Sequence, residues 1–381
     1  MTEWKEYKFS DFVEINPSVK IPKGIPVSFV EMKDLDSSVR YCESSQKKEL
    51  TGGSRFINGD TLFARITPCM ENGKICQVRN LENGFGFGST EFHILRGKDG
   101  VSDSDFVYYL SRWDEVRDHA EHNMEGSSGR QRVPKQAFDN LYLSLPPLPT
   151  QRRIAAILSC LDDKIDLLHR ENATLEQMAE TLFRQWFVAE AKEEWEERPL
   201  SSIATFLNGL ACQKYPPKNG INKLPVLKIR ELSSGIGNDS DWATTEVGDE
   251  YIVHAGDVIF AWSASLMVKI WDGEDCILNQ HLFKVTSEKY PKWFYYFWCK
   301  HHLNEFISIA QSHATTMGHI KRGDLDTAMV LVPSDEELLS MTAQMEGLLR
   351  KMENNNEQIN TLIQTRDGLL PRLMSGEVKI L

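Results

Sequence analysis

The side chains whose types and spacing would support catalysis are few. The chain has no GxxxxGK[ST] phosphate loop, no HExxH metal motif and no GxSxG nucleophile elbow. Asn16-Pro17-Ser18 falls short of the Asn-Pro-Pro-aromatic element of amino-methyltransferases. The glycine-rich run at residues 84–90 favours a strand or a tight turn over a cofactor loop. We therefore expect neither a catalytic centre nor a cofactor site in this chain.

The histidines and cysteines also lack the pattern of a metal site. His119 and His122, and later His301 and His302, stand beside charged residues rather than among converging ligands. The seven cysteines are scattered, and none belongs to a CxxC pair. This pattern argues against a zinc knuckle or a disulfide framework and is typical of a reducing compartment. We predict a cytoplasmic protein that binds no metal.

One loop has side chains suited to contacts with a nucleic acid. The run Gly126-Ser127-Ser128-Gly129-Arg130-Gln131-Arg132 combines a flexible backbone with hydroxyl, amide and guanidinium groups, which pair with phosphates and base edges. Residues 312–319, followed by Lys321 and Arg322, keep this donor character with different side chains. Two domains that recognise different nucleic-acid sequences would have such loops. An ordinary solvated loop remains the alternative.

The chain repeats itself, which places these two loops at corresponding positions. Trp4-x4-Phe9-Ser10-x-Phe12 returns as Trp195-x4-Leu200-Ser201-x-Ile203, and Gly59-Asp60-Thr61-Leu62-Phe63-Ala64 returns as Gly256-Asp257-Val258-Ile259-Phe260-Ala261. An aromatic segment at 106–110 matches 293–297, and the same offset then continues to the second of two long helical patterns. We infer two copies of one unit of roughly 190 residues.

Each copy has the same order of expected elements. A short helix and β-rich sequence with turn signals come first, and an aromatic-rich helix follows at about 104–120 and at 291–311. The polar loop comes next, and then a last strand that ends at proline. The aromatic residues of these helices are predicted to lie in the core: Tyr108, Tyr109, Trp113, Trp293, Tyr296 and Phe297.

After each proline the apolar residues recur at alternating steps of four and three, as in one face of a long helix. We call these residues the seam positions. In the first copy they are Ile154, Leu158, Leu161, Ile165, Leu168, Asn172, Leu175, Ala179 and Leu182. In the second copy they are Met341, Met345, Leu348, Met352, Asn355, Ile359, Leu362, Arg366 and Leu369. An asparagine at such a position is a residue that fixes the register of paired helices.

Because one apolar stripe cannot bury itself, we predict that the two helices pair in an antiparallel coiled coil. Each helix is about 35–40 residues long, or on the order of 55 Å. Such a pair would hold the two globular modules apart. The alternative is a helical hairpin that only strengthens one compact fold.

Length and charge restrict the functional class further. The 381 residues suffice for two or three domains, and no apolar run is long enough to span a membrane. The formal charge of −12 counts against a large basic face, although residues 1–150 and 198–333 are close to neutral. If the protein binds DNA, we expect a partner to supply much of the attraction to phosphates.

The combination resembles the specificity subunit of type I restriction-modification systems. The resemblance rests on four sequences: the Gly-Asp-x-[LI]-Phe strand, the loop Gly126-Ser127-Ser128-Gly129-Arg130-Gln131-Arg132-Val133-Pro134, the helix opening Leu145-Pro146-Pro147-Leu148-Pro149-Thr150-Gln151-Arg152-Arg153-Ile154-Ala155, and the ending Leu369-Leu370-Pro371-Arg372-Leu373-Met374-Ser375-Gly376-Glu377. It covers both halves of the chain. Ser334-Asp335-Glu336-Glu337 replaces the Gln-Arg-Arg run in the second copy.

The resemblance implies an α+β fold with two similar mixed α/β target recognition domains, separated by the two long helices. The implied domains are residues 1–149 and 191–333, with a spacer or docking helix at 150–190 and another at 334–381. Each recognition domain would read half of a bipartite, asymmetric DNA site. The chain would itself be non-catalytic.

The implied partners are double-stranded DNA, two methyltransferase subunits and restriction–translocase subunits. S-adenosylmethionine, ATP and Mg would be bound by those subunits and not by this chain. The candidate DNA-contact residues are Arg65, Thr67, Ser127, Ser128, Arg130, Gln131 and Arg132 in the first domain, and Ser263, Ser265, Lys269, Thr315, Thr316, His319, Lys321 and Arg322 in the second. The alternative function is that of a coiled-coil adaptor with two protein-binding modules.

Overall fold

A computed structural model describes residues 4–22, 24–127, 129–218, 220–237, 239–312 and 318–378. The chain divides into two compact units. The first unit contains Met1–Leu168 and Gln358–Leu381, and the second contains His169–Glu357. Each unit therefore combines one globular copy with part of each long helix. The finer division into four segments stays a prediction.

The first unit is built on short strands, as the β-rich sequence predicts. The strands are β1 (Lys5–Lys8), β2 (Val13–Ile15), β3 (Pro26–Val30), β4 (Tyr41–Cys42), β5 (Gln46–Glu49), β6 (Ser54–Ile57), β7 (Thr61–Ala64), β8 (Ile75–Val78), β9 (Phe85–Gly88), β10 (Phe92–Gly97) and β11 (Tyr142–Leu145). They form a five-stranded sheet in the order β2-β10-β7-β8-β4, a four-stranded sheet β5-β3-β9-β6 and a pair β1-β11.

Strand β9 lies within the glycine-rich run, which explains its composition. A Cβ atom on Gly86 would meet the carbonyl oxygen of Ser28 at 2.8 Å, and one on Gly88 would meet that of Val30 at 2.4 Å. The parallel pairing of β9 with β3 therefore leaves no room for a side chain at either position. This segment is a strand, as the sequence analysis favours.

The helices of the first unit are α1 (Phe9–Phe12), α2 (Ser104–Arg112), α3 (Asp114–His122) and the start of α4 (Leu148–Arg184). Asp103 caps α2 by accepting hydrogen bonds from the backbone N–H groups of Asp105 and Phe106. The expected single helix at 104–120 is wrong, because the extended backbone of Trp113 separates α2 from α3. Asp114 and Glu115 open α3 with negative charge at its N-terminus, which favours a new helix start.

The second unit repeats this plan with its own lengths. Its strands are β12 (Glu196–Pro199), β13 (Thr205–Asn208), β14 (Lys223–Leu227), β15 (Trp242–Thr244), β16 (Ile252–Val253), β17 (Val258–Ala261), β18 (Met267–Ile270), β19 (Cys276–Leu278), β20 (Leu282–Thr286) and β21 (Met329–Val332). Its sheets have the orders β13-β20-β17-β18, β15-β14-β19-β16 and β12-β21. Its helices are α5 (Leu200–Ile203), α6 (Ile229–Ser234), α7 (Lys292–Ser312), α8 (Arg322–Thr327) and most of α9 (Asp335–Met374).

The aromatic residues of α2 and α7, with Trp113, pack into the cores, which confirms their predicted role. All six aromatic residues predicted from the sequence are at most 7% exposed. In the first unit they pack with the start of α4 and the end of α9. In the second unit the cluster includes Phe183 from the end of α4, Phe187 from the π-helical turn Gln185–Ala189 that follows it, and Met341 and Met345 from α9.

The long helices contact each other within each unit, and the contacts are antiparallel. In the first unit Ile154 and Leu158 share a cluster with Leu370 and Leu373, whereas Ile165 and Leu168 pack against Ile359. In the second unit Asn172 lies beside Asn356, whereas Ala179 packs in a cluster with Met345. All of the predicted seam positions are buried or half-buried. Description of the pair as a coiled coil stays a prediction.

The two long helices begin differently, as Ser334–Glu337 in place of the Gln-Arg-Arg run indicates. Ser334 and Glu337 form a capping box, in which Ser334 N donates to Glu337 Oε2 at 3.1 Å and Glu337 N donates to Ser334 Oγ at 3.4 Å. The buried Gln151 instead anchors the start of α4. Its Nε2 donates to the carbonyl oxygens of Val101 and Pro146.

Candidate nucleic-acid interface

In the first unit the residue after β7 is held between two distant segments. Arg65 N donates to the carbonyl oxygen of Glu91 at 3.0 Å, and Val133 N donates to the carbonyl oxygen of Arg65 at 2.8 Å. Ile66 and Arg132 form an antiparallel bridge beside these contacts. The candidate loop therefore returns to the end of β7 and brings Arg65, Glu91 and Arg132 together. We call these three residues the first triad.

Thr67 and Gln131, two predicted contact residues, extend this backbone frame. Thr67 N donates to the carbonyl oxygen of Gln131 at 3.0 Å, and Thr67 Oγ1 accepts from Gln131 N at 3.1 Å. Thr67 is 7% exposed. Its hydroxyl thus holds the loop against the strand end, which differs from the open position expected of a contact residue.

The second unit has the same frame with different residues. Trp262 N donates to the carbonyl oxygen of His281 at 3.4 Å, and Ile320 N donates to that of Trp262 at 3.1 Å. Ser263 and His319 form the corresponding bridge, and Ala264 N donates to the carbonyl oxygen of Gly318 at 2.9 Å. Trp262, His281 and His319 therefore occupy the positions of Arg65, Glu91 and Arg132. We call them the second triad.

An ion pair orients one side of the first triad. Arg132 Nε lies 3.0 and 2.9 Å from the two carboxylate oxygens of Glu91, and its Nη2 lies 2.8 Å from Oε1. These hydrogen bonds to the carboxylate raise the pKa of Arg132. The side chains of Arg132 and Glu91 are 42% and 24% exposed. Arg132 is thus an accessible guanidinium that Glu91 holds in one orientation.

Arg65 carries the second guanidinium of this triad, and it is half-buried. Among the described residues, none forms a hydrogen bond or ion pair with that guanidinium, and Nε is buried without a partner. An arginine with its donors free can form the paired hydrogen bonds that guanine O6 and N7 accept, or bind a phosphate.

His93 supports the frame from inside the first unit. Its Nε2 lies 2.8 Å from the carbonyl oxygen of Val133, and its Nδ1 lies 3.2 Å from Nδ2 of Asn16. Because the amide nitrogen of Asn16 can only donate, Nδ1 accepts and the Nε2–H donates to Val133. Burial lowers the pKa of His93 to about 4, so the ring is neutral at pH 7. Phe283 occupies the corresponding position of the second unit.

Aromatic rings dominate the second triad. The ring centroid of Trp262 lies 6.0 Å from that of His281 and 6.3 Å from that of His319. Trp262 Nε1 donates to Oδ1 of Asn208 at 3.0 Å. Ser263 is 4% exposed, and its hydroxyl lies 3.1 Å from Nδ1 of His281. Ser263 therefore lies beneath the accessible surface, where it contacts a triad member.

The remaining predicted contact residues fall into three groups. Exposed positions near the frames include Ser127, Arg130, Ser265, Lys321 and Arg322. Lys269 is not brought to the second triad. It lies on β18, where it pairs with Asp272 at 3.2 Å and lines a cavity of about 260 Å³ beside α4 and α9. Three predicted residues lie outside the described part of the chain: Ser128, Thr315 and Thr316.

Four residues of these sites were missed by sequence reasoning: Glu91, His93, Trp262 and His281. A signal existed, since residues 91–93 align with 281–283 at an offset of 190, between the offset of 197 for the Gly-Asp strand and that of 187 for the aromatic segment. Their importance depends on pairing across the sheets, which composition alone does not show. Among the described residues, no cluster of three or more His, Cys, Asp or Glu side chains is arranged to hold a metal ion.

Comparison with protein families identifies the chain. The family model described as type I restriction modification DNA specificity domain matches residues 1–177 and 192–364, which correspond to the two copies. The chain belongs to this specificity family. It is a type I restriction-modification specificity subunit with two repeated domains, as the resemblance predicts.

Individual relatives agree with this assignment. The chain is 24% identical over 419 aligned residues to the type I restriction enzyme MjaIX specificity subunit of Methanocaldococcus jannaschii, with 99% of this chain and 94% of that protein covered. It is 30% identical over 189 residues to the EcoAI specificity subunit of Escherichia coli, with 47% of this chain and 32% of that protein covered. The chain thus spans about a third of the EcoAI relative.

A solved structure shares the fold of this specificity subunit. The type I restriction-modification system S subunit from M. genitalium superimposes with a TM-score of 0.50 at 13% identity, covering 100% of this chain and 97% of that one. The predicted α+β class with two recognition domains and long helices is confirmed at the level of the fold. No helix in the described part of the chain is both long and apolar enough to cross a membrane.

Proposed function

We propose that this chain reads a bipartite, asymmetric DNA site, one half with each unit, for a type I restriction-modification complex. The observation that carries the proposal is the repeated backbone frame with unlike side chains. Four matching backbone contacts hold Arg65, Glu91 and Arg132 in one unit and Trp262, His281 and His319 in the other. One frame with two sets of hydrogen-bonding groups suits two readers of different base sequences.

The proposal places recognition in this chain and chemistry in its partners. Two methyltransferase subunits would supply S-adenosylmethionine chemistry, and restriction–translocase subunits would supply ATP- and Mg-dependent cleavage. The chain would be non-catalytic and would act in the cytoplasm, where its DNA lies. The formal charge of −12 supports DNA binding that is shared with the partner subunits. Neutralisation of phosphates dominates affinity for DNA, and this chain alone offers little positive charge for it.

The helices α4 and α9 would set the separation of the two readers and dock the methyltransferases. The contacts of Asn172 with Asn356 and of Ile165 with Ile359 support a fixed register between the helices. Such a fixed register would give a fixed number of base pairs between the half-sites.

The test is to map modified bases in a host genome with this chain and its methyltransferase partner present, and then with this chain deleted. We expect methylation at one two-part sequence that disappears on deletion. Purified complex should bind a duplex with both half-sites, and binding should weaken steeply as salt rises. An adaptor with two protein-binding modules would leave the methylation pattern unchanged and would shift no duplex with any partner.

A further inference from the structure

We propose that the first triad selects a guanine in its half-site through Arg65, with Glu91 and Arg132 as positioning residues, and that the second triad selects its base without a guanidinium. This inference rests on the proposed function and adds the chemical preference of each reader. It is carried by the difference between the two triads within one shared frame.

Arg65 has the geometry of a reading side chain. Its backbone is fixed on both sides: the N–H of Arg65 donates to the carbonyl oxygen of Glu91, and the carbonyl oxygen of Arg65 accepts from the N–H of Val133. Its guanidinium makes no hydrogen bond with the described residues; Nε is buried, so the two Nη groups are the donors available to a ligand. A guanidinium fork pairs with O6 and N7 of guanine in the major groove, which no other base reproduces.

The Glu91 carboxylate distinguishes this site from a simple phosphate-binding site. Two arginines alone would attract any phosphate, whereas the Glu91 carboxylate holds Arg132 and reduces the positive charge of the triad to that of one side chain. A carboxylate also repels a nearby phosphate. The arrangement therefore favours a ligand recognised by shape and by hydrogen-bond pattern over one recognised by charge alone.

The second triad contains no guanidinium. Trp262 is half-buried, and its indole stacks on the ring of Phe283 with centroids 5.6 Å apart. Two imidazoles lie beside the indole, and its own N–H is already donated to Asn208. An indole face can contact a thymine methyl group, and an imidazole can donate or accept one hydrogen bond. We therefore expect the second half-site to have no position read by an arginine fork from this frame.

The experiment uses the full chain in complex with its methyltransferase and duplexes carrying each of the four bases at every position of both half-sites. The variants are Arg65→Gln, which removes the guanidinium and its positive charge and shortens the side chain, and Glu91→Gln, which keeps the size and removes the negative charge. Trp262→Phe serves as the matched change in the second unit. Lys5→Gln is the charge control, because exposed Lys5 lies on β1, in a different sheet of the first unit.

We expect Arg65→Gln to reduce discrimination for guanine at one position of the first half-site by about 10- to 100-fold, with the second half-site unchanged. Glu91→Gln should reduce the same discrimination but strengthen binding to unrelated duplexes, since a negative charge is removed. A purely structural role for Glu91 would not produce that opposite pair of effects. Trp262→Phe should alter only the second half-site, and Lys5→Gln should alter neither.

Equal loss of affinity for every duplex with Arg65→Gln would show a phosphate contact and overturn the inference. So would unchanged discrimination at every position. Either result would leave the proposed function intact, provided that the wild-type complex still selects a two-part site. A wild-type complex without sequence preference would instead overturn the proposed function and this inference together.

Discussion

Asn355 donates a hydrogen bond of 2.9 Å to Asn172 across the paired long helices of the second unit. Asn355 is fully buried, and its Nδ2 also lies 3.0 Å from Glu171. Asn172 in turn donates to Asn356 at 2.6 Å. Asn172 and Asn355 are the asparagines that interrupt the two apolar seams in the sequence. Asn355 Oδ1 is buried without a partner, so the register depends on the hydrogen bonds that Nδ2 donates. A shift of the helices would leave that buried N–H₂ group unpaired as well.

Replacement of one of these asparagines should destabilise the second unit, and replacement of both should restore most of the lost stability. Asn172→Leu alone should destabilise the second unit by about 1–3 kcal/mol, since Asn355 loses a buried partner. The double change Asn172→Leu with Asn355→Leu should recover most of that loss, because two apolar groups then face each other. Thermal unfolding of the single and double variants measures both effects. A double variant less stable than the sum of the single ones would contradict this account.

Removal of one partner of the ion pair between Asp162 and Arg366 should destabilise the first unit strongly, whereas replacement of both partners by apolar residues should not. Arg366 Nη1 lies 2.8 Å from Asp162 Oδ1, and the side chains are 4% and 2% exposed. Tyr109 also donates to Asp162 at 2.6 Å. Arg366→Met should therefore destabilise the first unit by about 3–5 kcal/mol, because it leaves a buried carboxylate without its cation.

The second copy shows that apolar side chains can take the place of this pair. At the repeat offset, Leu349 corresponds to Asp162 and Ala179 to Arg366, so the second unit holds an apolar pair there. Asp162→Leu combined with Arg366→Met should regain much of the lost stability in chemical denaturation. A double variant as unstable as Arg366→Met alone would show that the ion pair has a further structural role.

His93 should make the first unit sensitive to acid. Its folded-state pKa of about 4 lies below the ordinary 6.5, so the unfolded chain takes up a proton first as pH falls. The stability due to the neutral ring is fully present above pH 6.5 and is lost progressively as pH falls towards 4. At pH 5 the loss amounts to about 2 kcal/mol relative to pH 7.

His93→Phe, the residue type of the second unit at this position, should remove that component of the pH dependence. Denaturant midpoints of the wild type and the variant at pH 7 and pH 5 measure the difference, with Phe283→Leu as a change in the other unit that leaves it unaffected. Parallel pH profiles for the wild type and His93→Phe would contradict the assignment of this acid sensitivity to His93.

The length of the helices should set the gap between the half-sites. Four residues, about one helical turn, inserted after Leu168 and again after Glu357 fall at the boundaries between the two units. We expect both half-site sequences to be kept while the gap changes by about one or two base pairs. Modified-base mapping measures this, and an insertion into α4 alone controls for loss of register. An unchanged gap would contradict the spacer role.

The amino-acid sequence by itself determined the repeat, the seam positions and the buried aromatic helices, because each depends on a pattern that is local along the chain. A spacing of three and four residues defines a helix face wherever it lies, and Leu158, Ile165 and Met345 are buried as their spacing predicts. The prediction of one aromatic helix at 104–120 was correct in which residues are buried but wrong in its continuity, since the extended backbone at Trp113 depends on packing.

Tertiary structure alone decided which polar residues form the candidate sites. Glu91 reaches Arg132 across 41 positions of the sequence, and Trp262 meets His319 across 57, because strand pairing returns the loops to one strand end. The same pairing uses the Thr67 hydroxyl to hold the loop against the strand end and places Lys269 at the cavity beside α4 and α9. Residue type shows what a side chain can bind, whereas the register of the sheets decides which side chains meet and which remain free.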